Sequence, residues 1–392
     1  MPNRTRGRGS VSSPRTPVAG PEAFRNHTDP DHVQSQAATL LLIGSHLRGD
    51  LPAMRARTQA TLQSAMIAEP PISTEDADAL GFPPILPSGD RFSVSALAEI
   101  VSPSRQGARR GKQRKPTPED ITARAERFYR DANSESAAAL LHASLSHPQA
   151  LVRVSAASSY ADVAVNPAPA IKVLEDGVRS KDLLVRDVAA YALAHIDPRN
   201  PRLKPLLREK RLRTRRKRSR TSTIIHGTWA ASGSWWQPGG DFWTYLHGNV
   251  DPSLYGAADR FGWTGGYSDA ARADAGASLH QWVETHNLDG LDLYTHSHGG
   301  SVAMLASQAG TRIGKLVLLS CPVHWPKYMP DFDITQKAVS VRVHMDLVIL
   351  ADRGGQKFSD PRIQEHVLPI WFDHFATHDP ANWQKYNIPA ML

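Results

Sequence analysis

From Thr221 onward, short apolar runs alternate with amphipathic stretches. Thr223-Ile224-Ile225 is a β-branched run that stops at His226-Gly227, and Arg260–Trp263, Leu288–Tyr294, Lys315–Leu319 and Ala338–His344 predict further strands. Between them, Ala271–His286 puts Ala275, Leu279, Trp282 and Val283 on one helical face, and Ser297–Ala309 predicts a helix closed by Gly310. Strand–helix alternation of this kind predicts an α/β fold, a parallel sheet with helices on both sides.

The region upstream is all-helical, and it repeats. Leu151-Val152-Arg153 followed by Ala156-Ala157 recurs 33 residues later as Leu184-Val185-Arg186 followed by Ala189-Ala190. The preceding helices align at the same offset, Leu141 with Leu174 and Leu145 with Val178. A fixed period of this length, two helices per unit, marks a helical solenoid, and the Ala pairs let neighbouring helices approach closely. The Val-Arg then Ala-Ala arrangement resembles HEAT-type repeats, over about two units, with Glu119–Ala132 as part of a third. Before that, Ala37–Leu47, Leu51–Ala68 and Ser93–Val101 predict short helices, interrupted by the Pro-rich stretch Pro70–Pro87. The first thirty or so residues, with Pro2, Pro14, Pro17, Pro21 and Pro30 among scattered Arg, Ser and Gly, have too little apolar surface to order themselves.

Charge changes this picture at one place. The 392-residue chain has 46 Lys plus Arg against 38 Asp plus Glu. Eleven of the basic residues and one acid lie between Arg202 and Arg220, a local +10; the remainder has 35 basic and 37 acidic residues, a net −2. The protein is therefore near neutral with one basic segment, which reads as a linker or partner contact, or else as a contact for an anionic lipid surface or for the phosphates of nucleic acid. A smaller cluster runs from Arg105 to Lys115. All nine tryptophans lie between Trp229 and Trp383, so the halves on either side of residue 220 differ in character. The expected organisation is a tail with short helices over 1–117, a helical repeat region over 118–200, a basic linker over 201–220 and a catalytic domain over 221–392. The single cysteine, Cys321, excludes an intrachain disulfide framework and a CxxC-type zinc site. No apolar run approaches the length of a membrane span, and no apolar segment follows the basic N-terminus as a secretory signal requires. The expected location is cytoplasmic.

One junction carries chemistry. The strand ending at Tyr294 runs into Thr295-His296-Ser297-His298-Gly299-Gly300, and a helix follows at once. This is the strand–turn–helix setting of a nucleophile elbow, G-x-S-x-G, in which small residues flank a serine held on a sharp turn. Gly299 fits that need; Thr295 departs from it. His226-Gly227-Thr228-Trp229, after the first strand, resembles the oxyanion loop of lipases and esterases, with His226 tying the loop down. Thr228 N–H and His298 N–H are the expected oxyanion donors, roughly 3–4 kcal/mol each to a tetrahedral intermediate.

These motifs resemble the α/β-hydrolase superfamily in its lipase- and esterase-like branch, over about 221–392. The resemblance implies the order serine, acid, histidine. Asp346, just past the strand that ends at His344, is the expected acid, with Asp352 the rival and Asp331 and Asp333 behind it. His378, before Pro380, is the expected base, with His374 the rival and His366 also in range. The implied function is ester hydrolysis by Ser297, His378 and Asp346 through an acyl-enzyme, with no cofactor. The substrate would be a small-molecule or lipid ester, and the aromatic stretch Trp235–Trp243 and the loop Pro322–Ile334 are candidate walls of its pocket. A metal centre at His296, His298 and Asp346 is disfavoured, because alternate residues of an elbow point to opposite faces. The alternative from another class is an inactive adaptor, whose helical repeats bind a protein partner and whose basic segment binds an anionic surface.

Overall fold

The computed structural model describes residues 16–48, 74–83, 115–164, 166–207 and 221–392. The predicted helices Leu51–Ala68 and Ser93–Val101, residues 1–15 of the tail, and most of both basic clusters lie outside them; the rest of the tail is ordered, contrary to expectation, because the 3-10 turn Gly20–Phe24 buries Ala23 and Phe24 in the helical core.

The helical half consists of α1 (Pro30–Leu47), the short α2 (Thr74–Ala79), α3 (Pro118–Asp131), α4 (Ser134–Ser144), α5 (Ala150–Val163), α6 (Ala168–Gly177) and α7 (Leu183–Ile196). Their starts follow local chemistry. Asp29 caps α1 by accepting from Asp31 N and His32 N, with Pro30 at the first turn. Thr117 and Asp120 form a reciprocal capping box on α3, and Asp182 accepts from Leu184 N and Val185 N to start α7. The 33-residue offset read from the sequence relates α5 to α7 at both ends.

The second half is a five-stranded, all-parallel sheet in the order β1 (Ser222–Ile225), β2 (Leu291–His296), β3 (Ile313–Leu319), β4 (Thr335–His344) and β5 (Ile363–Trp371). Alternation along the strands sends side chains to two cores. Ile225, Leu293, Leu316 and Leu318 pack under α9 (Asp269–His286) and α10 (Gly299–Gln308). Ile224, Tyr294, Val317, Val339 and Val341 pack on the other face, with Phe242 and Leu246 of α8 (Asp241–Asn249) and Trp383 of α12 (Pro380–Lys385). Both faces are thus covered, as a parallel sheet requires.

Two expectations about the sheet change. Arg260–Trp263 is not a strand: it lies in the connection between α8 and α9, where Phe261 and Trp263 are buried and Trp263 Nε1–H donates to His226 O at 2.8 Å. The alternating apolar residues anchor a loop instead of a strand. β5 was not expected, because Gln364, Glu365 and His366 interrupt its apolar pattern; it is an edge strand, and Pro369 sits there without breaking an interior ladder.

The boundary at 201–220 does not separate two cores. Met345, Leu347, Val348, Leu350 and Phe372, from the connection after β4 and the end of β5, belong to the same buried cluster as the helices α1, α5 and α7. The helix α11 (Leu347–Asp352) packs against both α7 and α1. Asp162 of α5 pairs with Arg48 at the end of α1 and with Arg353 at the end of α11, and Asp76 of α2 lies 3.1 Å from His344 Nδ1 at the end of β4. The helical half is therefore fixed over the carboxyl ends of the strands, where open α/β sheets hold their ligands. Among the described residues no helix is long and apolar enough to cross a membrane.

Candidate active site

Four neighbouring strands end alike. Each is followed by a non-glycine residue in the left-handed region: Ser297 (φ 53°) after β2, Ser320 (φ 43°) after β3, Met345 (φ 45°) after β4 and Phe372 (φ 69°) after β5. The step is tied across the sheet, since Ser297 N–H donates to Leu319 O at 2.9 Å, Ser320 N–H to Val341 O at 3.0 Å and Phe372 N–H to His344 O at 2.9 Å. Such backbone costs roughly 1–2 kcal/mol per residue, and the interstrand bonds hold it in place. The row aligns Ser297, Asp346 and the loop of His374 along one edge of the sheet.

Ser297 sits on the tight turn predicted for it. A Cβ on Gly227 would lie 2.7 Å from Ser297 Cβ, and one on Gly299 would lie 2.4 Å from Ile225 O. Only hydrogen fits at both positions, so these glycines let β1, the turn and α10 meet. Thr295, which departs from the small-residue pattern, is accommodated by donating its hydroxyl to Val317 O at 2.8 Å.

Asp346 is linked to a histidine, but not to the one expected. Asp346 is fully buried at the N-cap of α11, where Oδ1 accepts from Val348 N and Ile349 N. Its Oδ2 accepts from His374 Nδ1–H at 2.7 Å. Gln356 braces the pair by accepting from Asp346 N–H at 2.9 Å. Burial disfavours the charged form of His374, but the Asp346 carboxylate and its hydrogen bond, with Asp187 nearby, outweigh it and raise the pKa above 6.5. Among the described residues His374 Nε2 has no hydrogen-bond partner, and His374 lines the same cavity as Ser297.

His378 is therefore not the partner of Asp346. It lies in the 3-10 turn Ala376–His378, where its Nδ1–H donates to Phe375 O at 2.6 Å. Its ring packs on Trp235 (4.2 Å between centroids) and stacks on His296 (4.5 Å). His374 follows β5, and without that strand the sequence offers no register for choosing it. His366 lies within β5 itself.

The expected oxyanion amides are available. Trp229 N–H donates to Gly265 O and Ala230 N–H to Gly227 O, while Gly300 N–H donates to Ser297 O. Among the described residues the N–H groups of Thr228 and His298, in the same turns, have no acceptor. His226 ties the loop as expected: its Nδ1–H donates to Gly227 O at 2.8 Å, its ring stacks on Trp263, and burial pushes its pKa down to about 4.

A cavity of about 120 Å³ lies in front of these groups, lined by Ser297, His374, Thr228, Trp229, Trp235 and Phe375. Gly227, Ala230, Ser232, Gly233, His296 and His378 also border it, and one wall comes from α7, through Leu183, Arg186, Asp187 and Tyr191. Tyr191 is buried, and its hydroxyl lies 3.1 Å from Ser297 Oγ. Nothing in the sequence marked these residues, since in a helical repeat they read as packing positions.

Asp352 belongs to a separate buried group. His298 Nε2 lies 3.0 Å and His324 Nε2 2.7 Å from Asp352 Oδ2. Burial alone would raise Asp352, but its interactions with both histidines reverse this and hold it well below the usual carboxylate range. The three donor atoms lie within 4.8 Å of one another, a donor set that suits zinc. The charge balance does not. Arg272, itself buried, places Nη2 3.0 Å from His298 Nε2, so a permanent cation already shares the pocket with the carboxylate. The expected metal alternative at His296, His298 and Asp346 is not assembled, since His296 donates from Nε2 to His374 O and Asp346 is taken up by α11 and His374. Asp331 accepts at the turn into β4 and Asp333 is exposed beside it, both remote in role from His374.

Comparison of the chain with family models, with curated proteins and with solved structures gave no match.

Proposed function

We propose that the protein is a serine hydrolase of the α/β-hydrolase class that cleaves a small carboxylic ester through an acyl-enzyme. In this reading the helix pairs α4–α5 and α6–α7 are HEAT-like repeats joined to the catalytic half. The observation that carries the reading is the Asp346–His374 pair, raised toward the cavity that also holds a serine at φ 53° on a strand-to-helix turn.

The chemistry follows from those groups. Ser297 Oγ turns from Tyr191 toward His374 Nε2, which takes its proton as Oγ attacks the ester carbonyl. Asp346 holds Nδ1–H and stabilises the imidazolium without taking the proton. Thr228 N–H and His298 N–H receive the oxyanion. His374 returns the proton to the departing alcohol, and water repeats the sequence in reverse to free the acid. A fluorophosphonate is the direct test: it is expected to label Ser297 in the full-length protein, whereas an adaptor with the same fold stays unlabelled.

The cavity also sets the scale of the acyl group. About 120 Å³ is less than the ~150 Å³ engineered cavity that takes a benzene molecule. Hydrolysis of p-nitrophenyl acetate should therefore exceed that of the octanoate at least about tenfold in kcat/KM. The opposite order would mean that the acyl chain leaves by another route and that a lipid ester is the better substrate.

Two further outcomes follow. Asp346→Asn should lower kcat by about 10⁴, the handicap of an amide that favours the wrong imidazole tautomer, while Asp352→Asn should chiefly lower the melting temperature. Equal losses of turnover would move the acid to the Asp352 group. The raised pKa of His374 places the acid limb of kcat/KM above 6.5, because the protonated imidazole cannot accept the serine proton. An acid limb well below 6.5 would show that His374 is not the base.

A further inference from the structure

We infer that Tyr191, on the last helix of the repeat region, is a catalytic residue that gives the oxyanion a third hydrogen-bond donor. The inference rests on the hydrolase reading above and extends it to a residue on the other side of the basic segment.

The argument begins with position. Tyr191 lies 106 residues before Ser297 in sequence, yet its hydroxyl is 3.1 Å from Oγ, and both residues are buried. The hydroxyl also approaches the buried side-chain hydroxyl of Thr228. Two hydroxyls and the free amides of Thr228 and His298 thus converge beside Oγ. When Oγ bonds to a carbonyl carbon, the carbonyl oxygen is held within one C–O bond of that carbon and so comes among the same groups. The tyrosine bond to Oγ in the resting protein marks the place that oxygen would take.

Tyr191 is also held as a donor should be. Its ring meets Trp229 edge-on at 4.7 Å and Tyr267 at 5.6 Å, and it stacks on His298 at 6.0 Å. Burial pushes its phenol well above the ordinary value, so the proton stays on oxygen at any working pH. A fixed, buried dipole stabilises developing charge without having to reorganise. The proton balance of the reaction is unchanged: the serine proton passes through His374 to the alcohol, and Tyr191 donates a hydrogen bond while keeping its own.

The arrangement explains why the repeat region lies over the sheet. A partner-binding module would present α7 to solvent, whereas here Leu183, Arg186, Asp187 and Tyr191 close the cavity. Arg186 donates to Asp187 at 2.7 Å, so the charges on this wall are paired with each other and the tyrosine hydroxyl is left to the substrate.

Tyr191→Phe in the full-length protein tests this. With p-nitrophenyl acetate, acylation and deacylation should each slow about 10²-fold, the usual cost of one oxyanion donor, with KM and melting temperature nearly unchanged. Site-specific 3-fluorotyrosine at 191 keeps the ring and the fold but makes the phenol more acidic, and it should alter the deacylation rate without altering stability. If the phenylalanine variant turns over within about threefold of wild type, or faster, the inference fails and the tyrosine merely parks the serine. Labelling of wild-type Ser297 by a fluorophosphonate distinguishes the two levels. A labelled wild type with an unaffected variant removes only the role of Tyr191; an unlabelled wild type removes the hydrolase reading and this inference together.

Discussion

Ser297→Ala should abolish ester hydrolysis, with kcat lower by about 10⁶, and His374→Ala should cost as much. Members of such a unit act together, so the double variant should be no worse than either single one. His378→Ala provides the contrast. Its ring packs between Trp235 and His296 and its Nδ1–H closes a local turn, so the loss should fall on stability, with turnover kept within about tenfold at temperatures where the variant is folded. The measurements are steady-state rates on p-nitrophenyl acetate together with thermal melts. A Ser297→Ala protein with more than a tenth of wild-type activity would remove the serine from the reaction, and a His378→Ala protein as dead as His374→Ala would reopen the choice of base.

The isolated segment 221–392 should neither stay folded nor hydrolyse esters. Met345, Leu347, Val348, Leu350 and Phe372 are buried in the cluster built by α1, α5 and α7. Burying such a side chain is worth roughly 1.5–3 kcal/mol. Even half of the total for five of them is a large part of the ~5–15 kcal/mol that stabilises a typical domain. The fragment would also lose the Arg353–Asp162 ion pair, the contact of His344 with Asp76 and one wall of its cavity. Expression of 221–392 alone, followed by gel filtration and an esterase assay, checks this. A monomeric, active fragment would show that the helical half is dispensable, as the sequence boundary at 201–220 first suggested.

The elbow and the first strands were legible because their signals are local. A β-branched run, a serine two positions before a glycine and a helix start each lie within a few positions, and Gly227 and Gly299 had to be glycine for steric reasons visible in the motif. The pair Asp346–His374 was half legible. Asp346 follows a strand with clear alternation, but His374 follows β5, an edge strand whose polar residues hide its period, and the proline that points to His378 only starts α12. Tyr191 was not legible at all. Its contact with Ser297 depends on how two halves pack, and within the repeat it occupies the same kind of position as any buried aromatic. The chain boundary misled for a similar reason: a run of positive charge marks a change in composition, and it carries no information about which apolar faces meet across it.

The shared core has a consequence for how the chain reaches this state. On a ribosome the helices form first, since their contacts are local, and α1 and α7 then wait for their covering residues. Those residues, Leu347 to Phe372, follow α1 and α7 by a long stretch of sequence, and the contact between Tyr191 and Ser297 spans 106 positions. Until they emerge, the nascent protein carries an uncovered apolar face beside an incomplete sheet. Chains stopped before β5 should be the aggregation-prone species, and chaperone demand should fall once the segment from α11 to β5 has emerged.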